Sequence, residues 1–344
     1  MTEMITNTNQ VICGKAETKL QNFKSESIDL CYLDPPFFAN RIFETKGQHG
    51  KINSFDDKKW NRNLDEYLDF LVEVLEECHR VLKKTGSLYL HCDWHASHYL
   101  KVELDKIFGR KNFRNEIVWK RHNAHNDTRH GTKSFGRIHD VILFYTKSKD
   151  YTWNSMYQPY PEEYVKKAYR HVESETGRQY ALGDLSGPGG RSKGNPRYKF
   201  MGITRYWRYC ERSMIRLQKE GRIVQRQSGN VPLLKRYLDE MPGLMLQDVW
   251  DDVKSVQVTK KESVGYPTQK PERLLERIIQ ISSNEKDVVL DPFCGSGTTL
   301  IASKNLGRNF IGIDSNAQAC KIAKKRIETR IISEQMLMVN PVLP

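Results

Sequence analysis

Asp34, Pro35, Pro36 and Phe37 set very different chemical groups at consecutive positions. The two prolines have no backbone N–H and a nearly fixed φ, so the chain is stiff there and cannot extend a strand ladder. The apolar segment before them, Ile28-Asp29-Leu30-Cys31-Tyr32-Leu33, reads as a buried strand. A carboxylate, main-chain carbonyls and an aromatic ring are thus held at a strand end. This is a cluster of hydrogen-bond acceptors beside a stacking surface, suited to a flat ligand bearing an amino group. The bland alternative is an acid in a strand-end turn.

A second group lies far along the chain. Asp291-Pro292-Phe293-Cys294-Gly295-Ser296-Gly297-Thr298-Thr299 reads as strand end, glycine turn and helix start. Gly295 and Gly297 allow a ligand to approach the backbone, and the free N–H groups of a helix start favour a carboxylate or phosphate. The next strand, Asn309–Asp314, ends in an acid that can accept from two ribose hydroxyls. No third glycine completes a dinucleotide fingerprint, and no Gly-Lys-Ser/Thr follows to make a P-loop. Cys294 reads as packing. The alternative here is a tight turn and a solvated acid.

These residues need elements to hold them. Strands are expected at Gln10–Cys13, Ile28–Leu33, Ser87–Cys92, Glu116–Lys120 and Asp140–Tyr145. Helices are expected at Ala16–Phe23, Leu64–Leu82 and Ala96–Phe108, the second with Leu64, Leu68, Leu71, Leu75, His79 and Leu82 on one face. The stretch 39–63 is long and polar, the composition of a lid or binding loop. From Pro271 the alternation resumes with helices at Pro271–Ser282, Thr298–Leu306 and Ala317–Ile331, and strands at Asp287–Asp291 and Asn309–Asp314. The pattern predicts an α/β fold, a doubly wound and mostly parallel sheet built from 1–150 and 263–331. An inserted region spans 151–262, and 332–344 is a tail.

Composition narrows the partners. The chain has 344 residues, 38% of them hydrophobic, and a net charge of +13. Mean hydropathy is −0.67, and no apolar run reaches the ~18 residues of a membrane span. Met1–Gln10 is too polar for a signal peptide. Seven cysteines without a C-x-x-C pair read as reduced thiols of a cytoplasmic protein. The positive excess favours a polyanion, nucleic acid first. Tyr151–Glu262 holds 20 Lys and Arg against 13 Asp and Glu, interleaved with Tyr and Trp. The basic residues Arg191, Lys193, Arg197, Lys199, Arg205, Arg208 and Arg212 are the candidate phosphate contacts. A solvated charged surface over core aromatics is the plain alternative.

The two motifs resemble those of S-adenosylmethionine-dependent DNA amino-methyltransferases. Their order, Asp34-Pro35-Pro36-Phe37 first and the 291–299 turn last, is similar to the β class, a circularly permuted Rossmann-like methyltransferase fold with an inserted target-recognition region. Gly86–Asp93 resembles the strand after the catalytic helix. Tyr266-Pro267-Thr268-Gln269-Lys270-Pro271 resembles the segment that helps hold the methionine part of the cofactor. The resemblance implies that Asp34 and the Pro35 carbonyl orient an exocyclic amine while Phe37 stacks on its base. Asp291–Thr299, Asp314, Lys270 and Asp34 would line the cofactor site. Asp34 favours adenine N6, since relatives acting on cytosine N4 usually carry Ser there. The family often has Gly-Asp near the cofactor adenine where this chain has Gly14-Lys15, leaving Lys15, Glu17 or a backbone group for that end.

The implied substrate is double-stranded DNA with a flipped-out base, in a restriction–modification pair or as a solitary methylase. The implied protein partners are a second copy of the chain and a cognate restriction endonuclease. The rival readings are cytosine-N4 methylation and a non-catalytic DNA-binding protein of the same fold. Methylation at a ring carbon would need a Pro-Cys nucleophile, which is absent. No metal is expected: His91, Cys92, Asp93, His95 and His98 are split between a strand end and a helix start, and His122, His125 and His130 lie in a polar loop with Arg121 and Arg129.

Overall fold

The computed structural model describes residue 5, residues 7–38, 63–121, 133–227, 229–256 and 262–339, and the backbone alone of 42–47, 50–56 and 330–339. His122, His125, Arg129 and His130 lie outside these residues. In chain order the first elements are β1 (Gln10–Cys13), α1 (Ala16–Leu20), β2 (Ile28–Leu33), β3 (Ile42–Gly47), β4 (Gly50–Asp56) and α2 (Leu64–Val81). Then come β5 (Leu82–Cys92), α3 (Ser97–Phe108), β6 (Phe113–Lys120) and β7 (His139–Thr146). A second series comprises β8 (Tyr157–Gln158), α4 (Glu162–Ala168), β9 (His171–Val172), β10 (Gln179–Asp184), β11 (Arg197–Phe200) and β12 (Ile203–Tyr206). It continues through α5 (Glu211–Lys219), β13 (Ile223–Val224), β14 (Leu233–Tyr237) and β15 (Leu244–Met245). The chain closes with β16 (Val249–Trp250), α6 (Glu272–Ser282), β17 (Val288–Asp291), α7 (Thr298–Asn305), β18 (Asn309–Asp314) and α8 (Ala317–Val339).

The chain divides into two compact units, Met1–Asn154 with Gln247–Pro344, and Ser155–Leu246. The second unit ends well before residue 262, because β16 returns to pair in parallel with β6, Trp250 opposite Trp119. The first unit is an eight-stranded sheet in the order β1-β18-β17-β2-β5-β7-β6-β16. Its pairs are parallel except those of β7, which runs against β5 and β6. From β17 the chain winds outward to β18, and from β2 outward to β5. The order therefore reverses between β17 and β2, where open α/β sheets leave a crevice at the carboxyl ends of their strands.

All six residues of β2 are buried. A central parallel strand is covered on both faces, so its apolar run need not alternate. Its one acid, Asp29, accepts from Lys83 Nζ at 2.8 Å and from the Val288 amide at 2.9 Å. Helix α2 starts at a reciprocal cap: Asn63 Oδ1 accepts from the Asp65 and Glu66 amides, and its Nδ2 donates to Glu66. The helix buries Tyr67, Leu71, Val74, Leu75, Cys78 and Val81 against the sheet. It ends at Val81 and β5 begins at the next residue, so Leu82, expected in the helix, opens the strand. The polar stretch after Phe38 contains the antiparallel pair β3–β4, where the sequence suggested only loop. Helix α8 runs on to Val339, so most of the expected tail at 332–344 is helical; 340–344 lie outside the described residues.

The second unit has its own core of Leu185, Phe200, Trp207, Met214 and Leu234. Its sheet runs β13-β14-β10-β9, with antiparallel pairs β11–β12 and β8–β15 beside it. Among the described residues no helix is long and apolar enough to cross a membrane.

Candidate active site

Three acids come together at the carboxyl edge of the sheet. Asp34 follows β2, Asp291 ends β17 and Asp314 ends β18, three strands paired side by side. Parallel pairing brings them to one edge although Asp34 and Asp291 stand far apart in sequence. A cavity of about 480 Å³ opens there, within the range of small-molecule sites. Asp34, Asp291, Pro292, Phe293, Cys294, Gly295, Ser296, Thr298, Thr299, Asp314 and Lys270 all line it, as do Lys15 and Glu17.

Asp34 is divided in its bonding. Oδ2 accepts from Lys270 Nζ at 2.5 Å. Oδ1 is buried and has no partner among the described residues. A buried acceptor without a donor is costly, and here it belongs to a carboxylate that lines the cavity. Pro35 is buried while Pro36 and Phe37 are partly exposed. Tyr67, on α2, donates its hydroxyl to the Pro36 carbonyl at 2.9 Å. No described residue donates to the Pro35 carbonyl, which stays available as a second acceptor. Phe37 packs on the His91 ring at 5.8 Å, and Lys270 Nζ lies 5.1 Å from the Phe37 ring centre.

The glycine turn is built from the inside. Asp291 accepts from Thr299 Oγ1 at 2.5 Å and from the Phe293 amide at 3.0 Å. Burial, only partly offset by those bonds and reinforced by the nearby Asp34 and Asp314 charges, pushes its pKa up to about 7. Asp314 accepts from the Gly295 amide at 2.8 Å and the Asn316 amide at 2.7 Å, and burial raises its pKa. Each of its oxygens keeps a lone pair for a further donor. Arg326, on α8, donates to the Ser296 carbonyl and to Ser296 and Thr298 hydroxyls while pairing with Glu272.

The glycines serve purposes the sequence did not reveal. Gly295 and Gly297 have φ of 50° and 81°, the left-handed region. A Cβ at Gly297 would stand 2.8 Å from Ala323 Cβ, so close packing of α8 dictates that glycine rather than ligand approach. A Cβ at Gly295 would meet the Tyr266 ring at 3.2 Å. Cys294 is buried with Val11, Leu300, Phe310 and Cys320.

Lys270 belongs with Asp34 rather than with the cofactor turn alone. Tyr266, Thr268, Gln269, Glu66 and Phe70 also line the cavity. The first three stand in the Tyr266–Pro271 motif, which was the available signal; nothing in the sequence marks Glu66 or Phe70. His95 pairs with Asp93 at 2.6 Å and His98 with Ser97 at 3.2 Å, while His91 bonds Tyr32 and Asp140.

In the second unit, Arg191, Lys193, Arg197, Lys199, Arg208 and Arg212 are exposed and Arg205 is half-buried. Arg197 and Lys199 alternate along β11 with Tyr198 and Phe200, which face the core. Trp207 is fully buried and donates Nε1 to the Tyr198 carbonyl, so it is a core residue of this unit. The unit carries 17 Lys and Arg against 9 Asp and Glu.

The fold and site define a Rossmann-like methyltransferase. Residues 28–325 match the family described as DNA methylase, and the chain belongs to that family of S-adenosylmethionine-dependent DNA methyltransferases. It is 31% identical over 300 residues to a type II methyltransferase, M.EcaI, of Enterobacter cloacae, covering 86% of this chain and 64% of that one. It is 30% identical over 319 residues to the DNA adenine methyltransferase YhdJ of Escherichia coli K12, covering 92% and 82%. The structure of the PvuII DNA methyltransferase, cytosine-N4-specific, shares the fold at TM-score 0.50 and 13% identity, covering 93% and 86%.

Proposed function

We propose that this chain transfers a methyl group from S-adenosylmethionine to the N6 amino group of an adenine flipped out of duplex DNA at a short sequence. The observation that carries this reading is Asp34 Oδ1, buried and without a partner among the described residues, on a carboxylate that lines the cavity. An exocyclic amine supplies the missing donor. Its lone pair is delocalised into the ring, and hydrogen bonds from its two N–H groups to Asp34 Oδ1 and the Pro35 carbonyl orient it and favour a more tetrahedral nitrogen. Phe37 offers a face for the base. Bound S-adenosylmethionine supplies an electrophilic sulfonium methyl. The chain contributes alignment and fixed charge rather than a covalent nucleophile.

The residues fit the cofactor chemically. Asp314 retains acceptor capacity for hydroxyl donors, and Tyr266 and Phe293 add apolar wall. Lys15 and Glu17 border the same cavity at the start of α1, so both remain candidates for its adenine end. Adenine over cytosine is supported by the acid at position 34 and by the name of the Escherichia coli relative.

The second unit is the target-recognition region in this reading. Its net positive charge and the exposed Arg197 and Lys199 on one face of β11 suit phosphate contacts that offset the few kcal/mol of base flipping. The enzyme acts in the cytoplasm, as the modification half of a restriction–modification pair or as a solitary methylase. A second copy of the chain and an endonuclease cutting the same site are its protein partners in that setting. The test is incubation with methyl-labelled S-adenosylmethionine and mixed-sequence duplex DNA, followed by nucleoside analysis. N6-methyladenine is the expected product. N4-methylcytosine would replace the base assignment, and DNA binding without transfer would favour a non-catalytic role.

A further inference from the structure

Beneath Phe37 lies a run of buried polar side chains that methyl transfer, as described, does not use. Tyr32, His91 and Asp140 come from three adjacent strands, β2, β5 and β7, and are 1%, 0% and 2% exposed. The Tyr32 hydroxyl is 2.9 Å from His91 Nδ1, and His91 Nε2 is 3.1 Å from Asp140 Oδ2. Arg121 Nε stands 3.1 Å from Asp140 Oδ1, an ion pair without hydrogen-bond geometry. Burial alone would raise the Asp140 pKa. The hydrogen bond and charge of His91, with Arg121 and Lys270, hold it below the ordinary carboxylate value.

An ionised Asp140 only accepts, so His91 Nε2 carries a proton. Nδ1 is bonded to the Tyr32 hydroxyl, which can donate to it or accept from it. Both ring nitrogens are thereby committed and the ring cannot rotate. Its faces and edges are fixed as well: Phe37 packs on it at 5.8 Å and Trp119 meets it edge-on at 5.6 Å. A buried carboxylate is weak evidence for stability, since well-packed apolar groups do as well or better. With both of its nitrogens bonded, the His91 ring is held in one orientation even though Asp140 Oδ1 has only the Arg121 charge beside it.

We infer that His91, locked by Tyr32 and Asp140, is a positioning residue that sets the tilt of Phe37 and so the alignment of the acceptor base. This rests on the methylation reading above. A misplacement of about 1 Å at a reacting group can cost roughly a hundredfold.

The test is a double-mutant cycle with full-length protein at saturating S-adenosylmethionine and duplex DNA. His91→Leu is expected to lower kcat about 10- to 100-fold while S-adenosylmethionine affinity, read by calorimetry, is unchanged. In a Phe37→Leu background the same change should cost less than about threefold, because the ring it positions is gone. Tyr32→Phe removes a single hydroxyl and should show a smaller loss with the same non-additivity; it carries the cycle if His91→Leu does not fold. Full kcat in the folded variants overturns the inference, as does an equal loss in both backgrounds. Weakened cofactor binding at unchanged kcat overturns it too. Wild-type protein that transfers no methyl group sinks the methylation reading and this inference with it, whereas an active wild type with indifferent variants sinks the inference alone.

Discussion

Lys270 Nζ rests 2.5 Å from Asp34 Oδ2, bridging 236 positions of sequence, with both side chains largely buried. The pair engages Oδ2 and leaves Oδ1 buried, with no partner among the described residues. Breaking one partner of a buried ion pair leaves the other charge uncompensated. Lys270→Met should lower kcat about 10- to 100-fold through misalignment of Asp34, and change S-adenosylmethionine affinity much less. Steady-state kinetics with cofactor titration separates the two. A loss confined to cofactor affinity would return Lys270 to the cofactor site proper.

Gly297 is held by packing and by backbone. Its φ of 81° strains any L side chain, and an added Cβ would press on Ala323 at 2.8 Å. Gly297→Ala should destabilise the first unit by about 1–3 kcal/mol. Thermal melting without cofactor reads this directly, and an unchanged melting temperature would show that α8 yields freely.

Asp291 makes stability depend on pH with a definite sign. Its pKa is raised from 3.8 to about 7 by burial. Between those values the folded chain keeps a proton that the unfolded chain has released, so this group's contribution falls as pH rises through the window and levels off above it. Asp291→Asn does not titrate. Its melting temperature relative to wild type should therefore climb between about pH 4 and pH 7. A difference independent of pH would mean that Asp291 is not buried as described.

Arg197 and Lys199 test the basic face of the second unit. Removing one phosphate-binding side chain reduces the salt dependence of DNA binding by about one unit of log–log slope. Arg197→Gln with Lys199→Gln should weaken binding at all sequences and flatten that slope by about two, with cofactor affinity intact. DNA titrations across salt concentrations report both, and an unaltered slope would remove these residues from the interface.

Much of the first unit was legible because its strands are short apolar runs closed by strong punctuation. The double proline stops β2, and the Gly295–Gly297 turn opens α7, so Gln10–Cys13, Ile28–Leu33 and Asn309–Asp314 appear as expected. The adjacency of Asp34, Asp291 and Asp314 was implied only through the family's topology, since strand order is not written in local pattern. What stayed hidden depends on partners distant in sequence. Lys270 reads as part of a cofactor motif until its ammonium is seen on Asp34. Trp207, interleaved with arginines in sequence, is seen as a core residue only once its burial is known. His91 and Asp140 look like ordinary strand residues until β5 and β7 are paired. The return of β16 to the sheet at Val249–Trp250 carries only two paired residues, too few to register as a strand.

The central claim is that Asp34 presents Oδ1 to the amino group of adenine. Its most direct test is modification-sensitive long-read sequencing of DNA from cells expressing either the wild-type chain or Asp34→Ala. The account predicts N6-methyladenine at a single short sequence with the wild type and unmodified DNA with the variant. Methylation that persists in Asp34→Ala, or a wild-type mark on cytosine, would contradict it.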